Sequence, residues 1–495
     1  MNAAPPPRFQ ILAAEAFERD VRLRLPFRFG AATVTAAPQA FVRVRVRGED
    51  GREAEGAAAE LMIPKWFDKA PGKTNSDNIG DLRTALLDAC HAYTSTAEAA
   101  TAFGHCAAHY RPLQQQGAAA GRTALATGFG GALLDRAVLD AACRVMNVSF
   151  ATAVRANLPG VTAKLAPDLH SFDLHAFLAA LVLPEAVAVR HTVGMLDTLV
   201  ANAGGGQDGG PNDGLPVALD DVIARYGARH FKLKLRGDPP ADIERLAAIA
   251  AVLDRLPHYA VTLDGNEQFP DGHAVAALVA SLRSDARLRR LSAATLYLEQ
   301  PLPRDLCLSV DLSSMAASPV GTSVASSICA IPLLIDESDA AYTSFPLARE
   351  RGYTGVSSKS CKGIYKSIAN AARCAQWNAG EVTARYFLSG EDLTTQAGLA
   401  VQQDTALAAM LGIAHVERNG HHYVDGFAGE SATVAEQEAF LAAHPDLYQR
   451  AGPNVRLRVQ DGRLSLGSLN APGFASGALP DFDSMTPLRA PATAN

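Results

Sequence analysis

The sequence predicts two units in series, an N-terminal α+β segment followed by an α/β TIM-type barrel. Three patterns carry that expectation. Apolar residues alternate with period 2 over about residues 8–60, recur at three- and four-residue intervals over about 77–150, and beyond about residue 185 form eight short runs separated by amphipathic stretches.

The first pattern is clearest in Phe41-Val42-Arg43-Val44-Arg45-Val46-Arg47, where apolar and cationic side chains face opposite sides of a half-buried strand. The second is clearest where Leu133, Leu134, Ala137, Val138, Ala141 and Ala142 recur with Asp135, Arg136 and Asp140 between them. The eight runs are Val187–Val189, His230–Leu235, Ala260–Asp264, Thr295–Glu299, Pro332–Asp336, Gly355–Ser358, Arg385–Ser389 and Ile413–Glu417. Eight strand–helix units in about 230 residues match a barrel, whereas a doubly wound sheet has fewer strands and often a glycine-rich first turn. The Gly/Asn/Asp-dense Ala203–Gly214 reads as a mobile loop or linker without a GxxxxGK[ST] phosphate loop. The chain closes with a helical stretch near Val434–Ala443, a strand-like Val455–Val459 and a Pro/Ala-rich end, most of whose final fifteen residues are expected to be disordered.

With 495 residues, 48% hydrophobic and 19% charged, the chain can bury a large core and divides into more than one unit. A net charge of -6 and the lack of basic runs argue against nucleic acid as a partner. Seven scattered cysteines, never spaced CxxC, suggest neither a disulfide framework nor a zinc site and fit a reducing compartment. The start, MNAAPPPRFQ, is no signal peptide, and no stretch reaches the roughly 18 apolar residues of a membrane span. A soluble cytoplasmic protein is expected.

Polar residues stand at the carboxyl ends of successive predicted strands, the catalytic face of any TIM barrel: Lys232, Lys234, Asp264, Glu299, Asp336, Lys362 and Glu417. In Phe231-Lys232-Leu233-Lys234-Leu235, alternation turns both lysines inward. Two inward ammonium groups are costly without anions, and Asp264, Glu299 and Asp336 each end an apolar run. A lone strand-end carboxylate is commonly a helix cap. Three in consecutive units would repel one another, and hard oxygen donors of this kind suit Mg²⁺ or Mn²⁺.

The ordered set FKLKL (231–235), LDGNEQ (263–268), LYLEQPL (296–302), LIDES (334–338) and SKSCKG (358–363) resembles the enolase superfamily, in particular its muconate lactonizing enzyme subgroup. Ala132-Leu133-Leu134-Asp135 with Leu139-Asp140 looks like that family's cap-to-barrel helix. Val459–Leu464 followed by Pro472-Gly473 looks like its returning segment. The resemblance implies a (β/α)7β or (β/α)8 barrel over 151–425, a capping domain over 1–150, and a C-terminal segment, 426–495, that returns to the cap.

The same resemblance implies that Asp264, Glu299 and Asp336 hold the metal, supported by Asn266 and Glu337, and that Lys234 moves the proton beside Lys232. Lys359 and Lys362 are both candidates for the facing lysine, and Lys362 is favoured because it directly precedes glycine. Glu417 matches an acidic strand-eight position, or is a structural ion pair. Phe29 and Trp66, in the segments Leu25–Gly30 and Met62–Lys69, are candidate substrate contacts. Arg28 and Lys65 could add an anion contact, while cap-to-barrel packing would explain the aromatics equally well.

Two departures from the subgroup stand out: Gly363 is followed by Ile364 instead of a second glycine, and Ser313–Ser327 lengthens the fourth unit. The seventh strand, Arg385–Glu391, has no histidine, which disfavours the mandelate racemase branch. His421-His422 reads as a solvated turn, not a metal pair. The implied chemistry is proton abstraction next to the carboxylate of a small substrate, leading to racemisation, epimerisation, cycloisomerisation or dehydration, in an isomerase or lyase that forms a homo-oligomer. The alternatives are a catalytically silent, ligand-binding barrel and a Schiff-base aldolase.

Overall fold

A computed structural model describes residues 5–30, 32–201, 211, 213–312 and 331–489. Ser313–Ser327 and most of Ala203–Gly214 lie outside the described residues.

Three antiparallel strands, β1 (Phe9–Phe29), β2 (Ala32–Gly48) and β3 (Glu53–Leu61), form most of the N-terminal sheet, whose fourth strand comes from the C-terminus. Alternation works as expected: Val42, Val44 and Val46 are fully buried, while Arg43 and Arg47 turn outward to Glu15 and Glu53. Helices α1 (Asn75–Thr94), α2 (Ala102–Ala119) and α3 (Ala124–Met146) follow, each opened by a threonine whose hydroxyl accepts from a first-turn N–H: Thr74, Thr101 and Thr123.

Helix α3 is buried along nearly its whole length because it lies between this sheet and the barrel. The contact with β3 depends on Gly56, where a Cβ would stand 2.2 Å from the Ala141 nitrogen and 2.3 Å from the Ala137 oxygen. Helix backbone cannot yield there, so Gly56→Ala is expected to lower stability by about 1–3 kcal/mol in urea denaturation.

Strands β4 (Ala186–Val193), β5 (His230–Lys234), β6 (Ala260–Asp264), β7 (Thr295–Glu299), β8 (Leu333–Ile335), β9 (Gly355–Ser358), β10 (Phe387–Gly390) and β11 (His415–Glu417) are all parallel, and β11 pairs with β4 to close the barrel. Each coincides with one of the eight expected runs.

The C-terminal segment returns. After the hairpin of β12 (Tyr448–Ala451) and β13 (Asn454–Leu457), β14 (Arg463–Ser465) pairs antiparallel with β4. Asp140 of α3 then accepts from the Phe474 N–H at 2.6 Å and, on its other oxygen, from the Ala57 N–H at 2.9 Å, tying this segment and the cap sheet to one carboxylate. The disorder expected for most of the last fifteen residues does not hold as far as Leu488: β15 (Thr486–Pro487) pairs with β1, and the Leu488 N–H donates to the Ala16 carbonyl at 2.8 Å. Residues 490–495 lie outside the described residues. No described helix is long and apolar enough to cross a membrane.

Candidate active site

Inward side chains at the carboxyl ends of the barrel strands meet in a pocket under the end of β1 and the loop after β3. Lys232, Lys234, Asp264, Asn266, Asp336 and Lys359 form its floor and wall; Phe27, Phe29, Ile63 and Trp66 come from the cap.

Lys232 is the most heavily paired group. Its Nζ lies 3.0 Å from Asp264 Oδ2, 2.8 Å from Glu299 Oε2, 2.6 Å from Glu391 Oε2 and 3.0 Å from Glu417 Oε2, all almost fully buried. Burial opposes its charge, but these carboxylates outweigh it and hold the ammonium well above the ordinary lysine value. Glu417 is therefore an ion-pair partner, and it also accepts from Thr192 at 2.5 Å.

Glu391 was not anticipated. It ends the seventh strand and joins Lys232 to Arg190, accepting also from Ser389 at 2.6 Å and Tyr297 at 3.0 Å. The signal was present, since Ser389-Gly390-Glu391 continues the strand-end pattern of the earlier units.

Lys234 donates to Asp264 Oδ2 at 2.6 Å, with its Nζ 5.8 Å from the centre of the Phe27 ring. Across the barrel, Lys359 donates to Asp336 Oδ2 at 2.6 Å, with its Nζ 4.4 Å from the centre of the Trp66 ring. Strands two and six of an eight-membered ring stand on opposite sides, so these lysines face one another over the pocket.

Of the two candidate lysines, Lys359 lines this pocket and Lys362 does not. Lys359 is still extended, at φ -137 and ψ 129, and so shares a face with Ser357, whose hydroxyl donates to Asp336. The 3₁₀ turn Ser360–Lys362 then carries Lys362 behind that wall, where it donates to Ser357 Oγ at 2.6 Å and to the Asp336 carbonyl at 3.2 Å. The turn is fixed from the cap: Arg136 of α3 donates to Ser360 Oγ and Glu60 Oε2, each at 3.1 Å.

The three expected metal carboxylates converge, with Asp264 and Glu299 joined through Lys232 and Asp336 adjoining. Burial first, then Asp264 and Glu391, push the Glu299 carboxyl well above the usual range; Asp336 is held below it, Lys359 and Lys362 outweighing burial. Asn266 Oδ1 is buried without a hydrogen-bond partner among the described residues, and Glu299 Oε2 has only the Lys232 ammonium, at 2.8 Å. Among the described residues no three His, Cys, Asp or Glu side chains are gathered so as to hold a metal ion as they stand; the carboxylates turn to the lysines instead. The donor set nonetheless fits a hard divalent cation, being three carboxylates from consecutive barrel units beside the unpartnered amide oxygen of Asn266.

Supporting contacts run through the loops. Asn266 donates through its N–H to Asp264 Oδ1 at 2.9 Å, and Glu337 Oε1 lies 3.5 Å from Lys69. Gln300, another residue sequence reading missed, accepts from the Asp336 N–H at 2.8 Å and donates to Ser338 Oγ at 2.8 Å, fixing the strand end that carries Asp336. Arg304 holds the Trp66 carbonyl at 3.0 Å, which seats the cap loop. Lys65 turns away to the Ala70 and Lys73 carbonyls, and Arg28 does not line the pocket. His421 and His422 are buried, not solvated: His421 packs on His191 and Tyr226, and His422 lies edge-on to His191.

No family model and no curated protein matches the chain. Solved structures do. The muconate lactonizing enzyme from Pseudomonas fluorescens, complexed with muconolactone, superposes with a TM-score of 0.57 at 17% identity, covering 96% of this chain and 97% of that one. The chain has the enolase-superfamily fold. Two further structures with this fold are similar to it. A dipeptide epimerase from Enterococcus faecalis, complexed with Mg and L-Leu-L-Tyr, has a TM-score of 0.57 at 14% identity, over 94% and 99% of the two chains. An enolase from Pseudomonas fluorescens with bound magnesium, potassium and tartrate has 0.57 at 14%, over 96% and 91%. These structural neighbours with the enolase-superfamily fold are enzymes, and the named ones bind small molecules.

Proposed function

We propose that this chain is a metal-dependent enzyme that removes a proton next to the carboxylate of a small substrate, with Lys234 and Lys359 as the two proton-transferring groups. The observation that carries this reading is the placement of these lysines on opposite sides of one pocket, with Asp264, Glu299 and Asp336 on the strands between them.

Asp264, Glu299 and Asp336 would hold Mg²⁺ or Mn²⁺, which supplies Lewis-acid stabilisation of the charge that develops on the substrate carboxylate. Lys232, held charged by its carboxylates, adds a fixed positive potential. At about 4 Å and an effective dielectric near 20, a unit-charge pair is worth roughly 4 kcal/mol. Lys234 and Lys359 each donate to a proposed metal carboxylate, which orients both ammonium groups at the pocket. With a base on either face, one lysine removes the proton and the other returns it, or assists a leaving group.

Phe27, Phe29, Ile63, Trp66 and Leu393 exclude water above the lysines, while Asp392 and Thr394 are the polar members of that roof. The substrate this shape favours is a small carboxylate with a largely apolar remainder.

The deciding experiment is a mass-spectrometric screen for deuterium uptake from D₂O into small carboxylates, with Mg²⁺ and with EDTA. Metal-dependent uptake or conversion is expected. Complete silence, together with a calorimetric failure to bind Mg²⁺, sinks the proposal; borohydride trapping of substrate on a lysine would favour Schiff-base chemistry instead.

A further inference from the structure

Lys362 and Lys366 take no part in the reaction proposed above, yet both line a second cavity, between the cap helices and the segment after β8. Their side chains are 1% and 4% exposed. Lys366 lies 3.1 Å from Asp339 Oδ2. Lys362 lies 3.3 Å from the same oxygen and 3.4 Å from Asp336 Oδ1, and Lys359 draws on Asp336 from the other side at 2.6 Å. Three ammonium groups thus share two carboxylates within ion-pair reach, which leaves positive charge in excess at this wall. Burial, reinforced by Lys362 and only partly offset by Asp339, brings the Lys366 ammonium down to about 8. Asp135, across the same cavity, carries only part of its negative charge near neutral pH. Burial pushes its carboxyl up to about 7, against the hydrogen bonds of Tyr93 and Cys106.

The cavity is also kept open at a cost. Gly128 and Gly131 of α3 line it, and glycine inside a helix is less stable than alanine by about 1 kcal/mol. Neither position needs glycine for close approach. A Cβ at Gly131 would meet nothing nearer than Leu113 Cδ1 at 4.0 Å, and one at Gly128 nothing nearer than Gln114 Nε2 at 3.6 Å. Their neighbour Gly130 differs, since its Cβ would stand 2.1 Å from the Ala85 oxygen. Packing explains Gly130, and space for an occupant explains the other two.

We propose that this cavity is a binding site for a small oxyanion, a phosphate or carboxylate group, seated against Lys366 and Lys362 with Tyr110 and Tyr342 in its wall. It adjoins the active-site pocket through Lys362, which contacts Asp336 on one side and the cavity on the other. The Tyr110 hydroxyl and the ammonium groups offer donors to an anion, and charge-assisted hydrogen bonds are the stronger kind.

The test is titration calorimetry of the full-length protein with inorganic phosphate and, separately, with acetate, at constant ionic strength. Wild type is compared with Lys366→Met, Gly131→Leu and Lys234→Met. Saturable binding of at least one anion is expected in wild type and in Lys234→Met, weakened about tenfold or more in Lys366→Met and in Gly131→Leu. Gly131→Leu alters no charge and favours the helix, so its melting temperature should not fall and its lost binding reads occupancy of the cavity. No saturable binding in wild type, undiminished affinity in Gly131→Leu, or loss confined to Lys234→Met would each overturn the proposal; the last would move the anion to the active site.

Discussion

Lys359→Met is expected to lower α-proton exchange by roughly 10² to 10⁴-fold, whereas Lys362→Met should keep it within about tenfold of wild type. Lys359 lines the pocket under Trp66 and faces Lys234; Lys362 points behind the wall that Ser357 and Asp336 form. Removing Lys359 takes away a proton-transferring group and, with it, the partner of Asp336 Oδ2. Removing Lys362 leaves the pocket lining unchanged and affects Asp336 only from the rear. The measurement is deuterium wash-in on whichever carboxylate responds in the screen, with circular dichroism to confirm folding. Equal losses in both variants would mean that the lysine facing Lys234 is misassigned.

Lys232→Met should destabilise the protein by about 3–5 kcal/mol in urea denaturation, because breaking a buried ion pair leaves its partner charge uncompensated. Here the loss takes the ammonium from four almost fully buried carboxylates, leaving Asp264 to Lys234, Glu391 to Arg190, and Glu299 and Glu417 without a paired cation among the described residues. Neutralising one of them with Glu391→Gln in the same chain should recover part of the loss. A change below about 1 kcal/mol would mean that the carboxylates relax by taking up protons or water, and that Lys232 is not the hub of the barrel interior.

The barrel was legible in the sequence because side-chain alternation and strand–helix spacing are local properties. Phe231-Lys232-Leu233-Lys234-Leu235 has a single inward face whatever lies around it, and each of Asp264 and Glu299 ends the strand on which its apolar run lies. The inward direction of Lys359 is local as well, since Ser357 and Lys359 are two apart along one extended segment. What only the tertiary structure decided are relations between distant segments. These are the gathering of four carboxylates on Lys232, the entry of Glu391 through Arg190, the burial of His421 and His422 against His191, and the cavity that Lys362 shares with cap helices far away in sequence. Period and propensity fix which way a side chain points from its own element, but Coulomb and packing energies depend on which elements the closed barrel brings within a few ångströms.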